Sequence, residues 1–167
     1  MDTSIETKAG AGTTKKQWIA LLVLLAIFIV CILGARTVDT LNGTVDVQDI
    51  YYTHSDGGNL LHGRLYIPAN ATKETPAPAL IFFHGNDGDC DKYSMFGVEM
   101  ARRGFVVLLG DLQNQGQSIG GSNEPGTVAL NGVDIAGVYM RTLNFVDKEN
   151  ILIGGHSSGG RSAIAAY

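Results

Sequence analysis

The sequence predicts an α/β fold, a mostly parallel sheet with flanking helices, preceded by one apolar helix. Three observations carry this expectation. From Val45 onward, short apolar runs suited to buried strands alternate with helix-forming segments. Three polar, glycine-containing segments, His84 to Gly88, Asp111 to Gly121 and Gly155 to Gly160, each follow an apolar run, which is where ligands of parallel sheets gather. Near the N-terminus, the 18 residues from Trp18 to Ala35 carry no charge.

The elements follow in order. Residues 1–16, dominated by Thr, Ala and Gly, are too small and polar to pack, and read as a flexible cytoplasmic tail. Residues 17–35 read as a transmembrane anchor, since the uncharged stretch spans about 27 Å as a helix, enough to cross a bilayer. Lys8, Lys15 and Lys16 precede it and Arg36 alone follows closely, which favours a cytoplasmic N-terminus and a body on the non-cytoplasmic side. A cleaved signal peptide competes with this reading, but the apolar core is long, and Leu33 rather than a small residue stands three before the nearest cleavage point at Ala35. After a linker at 36–44, Val45–Thr53 and Leu60–Ile67 read as a hairpin turning at Ser55–Asn59, with the second strand stopped by Pro68. His54 and His62, beside that turn, are expected at the surface. Ala79–Phe83 is a third strand and Asp91–Arg103 a helix with Tyr93, Phe96 and Met100 on one face. Phe105–Leu109 is a fourth strand, Asn131–Leu143 a helix, and Asn150–Gly154 a fifth strand.

Composition excludes several classes. Beyond residue 36 there are 8 Lys and Arg against 14 Asp and Glu, without a basic stripe, so a nucleic-acid partner is not expected. Cys31 lies in the apolar segment and Cys90 in a polar loop, which gives neither a disulfide framework nor metal-ligand spacing. Asp87-Gly88-Asp89-Cys90-Asp91 begins like a calcium loop but has Lys92 at the sixth position and Val98 at the twelfth; Asp89 or Asp91 serves better as a helix cap. No phosphate-binding loop occurs, so neither metal nor cofactor is expected. Asn42 and Asn70 head N-glycosylation sequons.

The pattern G-x-S-x-G occurs twice. Gly116-Gln117-Ser118-Ile119-Gly120 follows the polar run Gln113-Asn114-Gln115 and leads into Gly121–Gly126, loop chemistry on both sides. Gly155-His156-Ser157-Ser158-Gly159 instead follows Ile151-Leu152-Ile153 and precedes the helix-favouring Ser162–Ala166. Strand, sharp turn and helix form the context in which a serine hydroxyl is presented at a helix N-terminus, so Ser157 rather than Ser118 is the candidate nucleophile.

With these motifs in order, residues 45–167 resemble the N-terminal portion of the α/β-hydrolase family, among its serine esterases and its dienelactone-hydrolase-like and serine-peptidase-like members. The resemblance rests on Phe82-Phe83-His84-Gly85 ending the third strand, on Asp111 closing on Gly116-Gln117-Ser118 after the fourth, on the Val146-Asp147 connector, and on the elbow itself. Gln113, Asn114 and Gln115 stand where the family often has Arg, Gly and His. The resemblance implies a catalytic Ser157, an oxyanion hole from the backbone N–H groups of Asn86 and Ser158, and supporting roles for His84, Gly85, Gly155 and Gly159. For His84, a satisfied histidine at a strand end is the competing reading.

The family's order is Ser, then Asp or Glu, then His, yet all four histidines, His54, His62, His84 and His156, precede Ser157 or adjoin it. The resemblance therefore implies a chain truncated before its acid and base, nearly inactive alone, from a membrane-anchored serine hydrolase of an ester, lipid or peptide substrate. The alternative is a non-catalytic membrane-tethered binding module that keeps the fold's first half.

Overall fold

The computed structural model describes residues 14–53, 58–86, 88–120 and 132–166. The expectations for residues 1–13, His54, the turn at 54–57, Asp87, the segment at 121–131 and Tyr167 lie outside the described residues. The chain divides after Arg36 into two compact units. The first is the greater part of helix α1 (Lys15–Asp39), whose apolar side chains are exposed throughout and in which an 18-residue window has a mean hydropathy of 3.0, long and apolar enough to cross a membrane.

The second unit is built around β4 (Val106–Gly110), all five residues of which are buried. A run of Val, Val, Leu, Leu and Gly has no polar face, so it forms a strand only where both faces are covered. β3 (Ala77–Phe83) lies parallel to it, pairing Ile81 with Leu108. On its other side β3 pairs, again in parallel, with β6 (Val146–Gly155), Ile81 against Ile153. On the far side of β4, β2 (Asn59–Pro68) runs antiparallel and continues into the hairpin with β1 (Val45–Tyr52). The order is β1-β2-β4-β3-β6, with the two-residue β5 (Ile119–Gly120) paired to the start of β2.

Helices cover both faces. A 3₁₀ turn at Cys90–Tyr93, capped by the Asp89 carboxylate accepting the Lys92 N–H, leads into α2 (Ser94–Arg102). Val98 and Ala101 of α2 pack with Tyr66, Val107 and Leu109. On the opposite face α3 (Val133–Thr142) sets Val133, Ala136 and Met140 against Leu61, Leu65 and Leu108, and α4 (Ser158–Ala166) adds Ala166. Alternation along β2 therefore sends Leu61 and Leu65 to one helical layer and His62 and Tyr66 toward the other.

Boundaries differ from the sequence expectation in places. β6 begins at Val146, four residues early, because Ala77 pairs with Val146 before a register shift at Ala79. The segment expected as one helix from Asp91 starts as the 3₁₀ turn, and the helix expected from Asn131 starts at Val133. One side-chain expectation is corrected: His62 is 1 % exposed instead of lying at the surface. Cys90, expected in a polar loop, opens the 3₁₀ turn with its side chain buried. The loop before α2 folds back over β2, covering the strand face a hairpin read alone leaves open.

Candidate active site

After β3 the chain crosses to β4 on one side, while β6 enters on the other, so the carboxyl ends of β3 and β6 flank a point where the topology reverses. Such points open a crevice in doubly covered sheets. The β3 end carries His84, Gly85 and Asn86, and the β6 end carries Gly155 to Ser158.

The elbow is held by backbone bonds. His156 N–H donates to the Phe83 carbonyl at 2.9 Å, and Gly159 N–H donates to the carbonyls of His84 and His156 at 3.1 and 3.0 Å. Ser157 has φ +52°, a left-handed conformation costly for any residue with a Cβ, and is exposed. Its flanking glycines supply space. A Cβ at Gly159 would lie 2.4 Å from the His84 carbonyl oxygen, and one at Gly155 would lie 2.5 Å from the Gly159 carbonyl carbon. Gly85 brings the β3 loop against the same turn, since a Cβ there would lie 2.8 Å from His156 Nδ1 and 3.2 Å from Ser157 Cβ. Ser158 opens α4, where the first backbone N–H groups have no partner within the helix, and Asn86 is exposed beside Gly85. Ser157, Ser158, Gly155 and Gly159 thus share one corner with Gly85 and Asn86.

His84 ties this corner to the β4 loop. Its buried ring bonds the Gly85 carbonyl through Nδ1 at 2.6 Å and accepts the Leu112 N–H at Nε2 at 3.0 Å. A nitrogen that accepts an N–H carries no proton, so the hydrogen bonds select the Nδ1–H tautomer. Asp111 Oδ1 at 4.0 Å from Nε2 is then a neighbour of that ring and not an ion-pair partner. Both ring nitrogens are committed, which removes His84 as a base for Ser157. His156 is exposed, its ring 6.3 Å from that of Tyr93.

The second G-x-S-x-G segment is a turn that runs into β5. Ser118 is 5 % exposed; its hydroxyl accepts the His62 N–H at 3.0 Å and donates to the Asp111 carbonyl at 3.1 Å. Around it lies a cluster that no spacing in the sequence signals, because its members come from β2, the 3₁₀ turn and the end of β4. The Asp111 carboxylate accepts Cys90 N–H at 2.6 Å and Gln117 N–H at 2.8 Å, and meets His62 Nδ1 at 2.7 Å. Burial raises the Asp111 carboxyl, but the bonds from Gln117, His62 and Cys90 outweigh it and hold the group below its ordinary range. Burial, then the Asp111 charge, pushes the Cys90 thiol well up, so it is no nucleophile.

No protein-family model matches the chain, and no curated protein matches it in sequence. Solved structures do match. The esterase Est22 is 18 % identical with a TM-score of 0.62, covering 92 % of this chain and 46 % of its own. A bacterial heroin esterase is 24 % identical (TM-score 0.58; 84 % and 44 % covered), and acetyl xylan esterase 1 from a Thermoanaerobacterium species 22 % (TM-score 0.57; 74 % and 44 %). At these identities the likeness establishes the fold, that of the α/β-hydrolases, and the chain spans less than half the length of each of these structures.

Proposed function

We propose that this chain is the nucleophile-bearing portion of a membrane-anchored serine hydrolase that cleaves carboxylic esters through an acyl-serine intermediate. The observation that carries the reading is Ser157 itself, an exposed serine in a left-handed conformation between β6 and α4, with the Gly85 loop packed against it. Strain of this kind persists only where surroundings impose it, and it clusters where the strained side chain has a task.

In the proposed reaction Ser157 Oγ attacks the ester carbonyl carbon while a general base takes its proton. The carbonyl oxygen becomes an oxyanion held by the N–H groups of Ser158 and Asn86, each donor being worth about 3 to 4 kcal/mol. Collapse expels the alcohol, which recovers the proton, and water then releases the acid by the same path. His62 and His84 are buried and bonded elsewhere, so neither is assigned as that base. Among the described residues β6 pairs only with β3, and Leu152 and Ile164 of α4 are exposed beside it. Esters are favoured over lipids and peptides because the structural neighbours named above are esterases. The anchor is assigned to α1, with the cytoplasmic N-terminus that Lys15 and Lys16 against Arg36 imply.

The test is labelling of the longer protein by a fluorophosphonate probe. Label is expected in the wild type and in Ser118→Ala and absent from Ser157→Ala; label persisting in Ser157→Ala overturns the assignment.

A further inference from the structure

His62, Cys90 and Asp111 lie apart from the elbow and have no role in the chemistry above. All three are buried, and each offers one ligand atom within 4.8 Å of the others. Imidazole, thiol and carboxylate together form a donor set suited to zinc, and suited poorly to magnesium or calcium, which take oxygen donors.

The second observation is the far side of the imidazole. Among the described residues His62 Nε2 is buried without a hydrogen-bond partner, and Asp49 Oδ1 lies 3.7 Å from it. If Nδ1 carries the proton and donates to Asp111, then Nε2 is a bare acceptor facing a carboxylate, an arrangement with no attraction in it. With a metal on Nδ1 the proton moves to Nε2 and points at Asp49. Histidines that bind metals through one nitrogen almost always give the other N–H to a carboxylate or carbonyl. Asp49 is itself oriented for this, because Arg64 Nε donates to the same oxygen at 3.0 Å. The Asp111 carboxylate is steadied in the way a ligating carboxylate needs, by the N–H groups of Cys90 and Gln117.

We propose that His62 Nδ1, Cys90 Sγ and the Asp111 carboxylate bind a zinc ion, with Asp49 accepting the His62 Nε2–H and water completing a tetrahedral site. Donors around tetrahedral zinc stand about 3.3 to 3.6 Å apart. The Sγ to Nδ1 distance is 3.9 Å and the Nδ1 to Oδ2 distance 2.7 Å, so side-chain adjustments on the order of 1 Å suffice. Binding releases the thiol proton of Cys90 to solvent and transfers the imidazole proton from Nδ1 to Nε2; no electrons move. The ion would join β2, the 3₁₀ turn and the β4 loop.

The experiment uses the full chain in detergent, with zinc content by elemental analysis and cobalt(II) as the spectroscopic probe. Expected are stoichiometric zinc after exhaustive dialysis, and a cobalt form with a thiolate-to-cobalt charge-transfer band and the visible bands of a tetrahedral site. The charge-transfer band is expected to vanish in Cys90→Ser, which keeps the side-chain volume, and to remain in Cys31→Ser. Asp49→Asn, an exposed change, is expected to weaken cobalt binding about tenfold to a hundredfold. Only trace metal, a thiolate band surviving in Cys90→Ser, or unchanged affinity in Asp49→Asn overturns the proposal. So does nitrogen NMR showing both His62 ring nitrogens protonated in the zinc-equilibrated protein, which identifies a plain imidazolium between two carboxylates. Should Cys90→Ser fail to fold, the Asp49→Asn affinity and the NMR decide alone.

Discussion

Two segments spell G-x-S-x-G, and the structure uses them in opposite ways. At Gly116–Gly120 the positive φ values, +55° and +101°, fall on Gly116 and Gly120, where they cost little, and the Ser118 hydroxyl is consumed by two backbone bonds. At Gly155–Gly159 the positive φ falls on Ser157, at about 1 to 2 kcal/mol, and the serine stays exposed. The elbow glycines lie outside the positive-φ range and are there for clearance. The pattern therefore says only that small residues are needed; which residue bears the strain separates a loop pin from a presented hydroxyl.

The largest expected effect breaks the elbow by filling its clearance. In Gly159→Ala the new Cβ meets the backbone of Phe83 and His84 at 2.4 to 2.7 Å, atoms that no rotamer change can move aside. A loss of about 3 kcal/mol or more is expected from the urea midpoint of the full chain in detergent. A loss below about 1 kcal/mol would show that β3 and the elbow are not in the contact described.

Exchanging the two serines for alanine sharpens the comparison at the next scale. Ser118→Ala leaves the buried His62 N–H and Asp111 carbonyl without their partner and is expected to cost about 1 to 3 kcal/mol. Ser157→Ala, at an exposed position, is expected within about 0.5 kcal/mol of wild type. Equal losses would erase the distinction drawn between the segments. Acid reports on the same loop. The Asp111 carboxyl is depressed in the folded state, so its contribution is fully present above its ordinary value of about 4 and is lost as pH falls toward its folded value. Urea midpoints between about pH 5 and pH 2 are expected to fall in the wild type, with a shallower slope in Asp111→Asn.

The contrast also marks what the sequence could reveal. Strand and helix on either side of Ser157 are written locally, in Ile151-Leu152-Ile153 and in Ser162 to Ala166, so the elbow was legible, as was the cap at Asp89. His62 was not. Its neighbours Gly63 and Arg64 suggest a solvated strand face, and what buries it arrives from Cys90 and Asp111, 28 and 49 residues away. Period-two alternation puts His62 on the same face of β2 as Tyr66, but says nothing of the 3₁₀ turn that covers it. Local signals fix elements; burial of a polar side chain is decided by whatever the fold brings over it.

The smallest effect separates the two segments by sign. Ser157→Gly removes the Cβ that makes φ +52° costly, recovering about 1 to 2 kcal/mol, and adds freedom to the unfolded chain that gives back about 0.4 to 1 kcal/mol. The balance is a protein more stable than wild type by up to about 1.6 kcal/mol that has lost its candidate nucleophile. Ser118→Gly has no strain to relieve and loses the same two bonds as the alanine variant, so it is expected to be less stable than Ser118→Ala. Urea midpoints of the four variants decide the matter. A stabilised Ser157→Gly beside a destabilised Ser118→Gly means that the fold holds Ser157 in its conformation against a local cost. Destabilisation by Ser157→Gly means the side chain contributes to stability, and the elbow then has no more claim to a special role than the loop at Ser118.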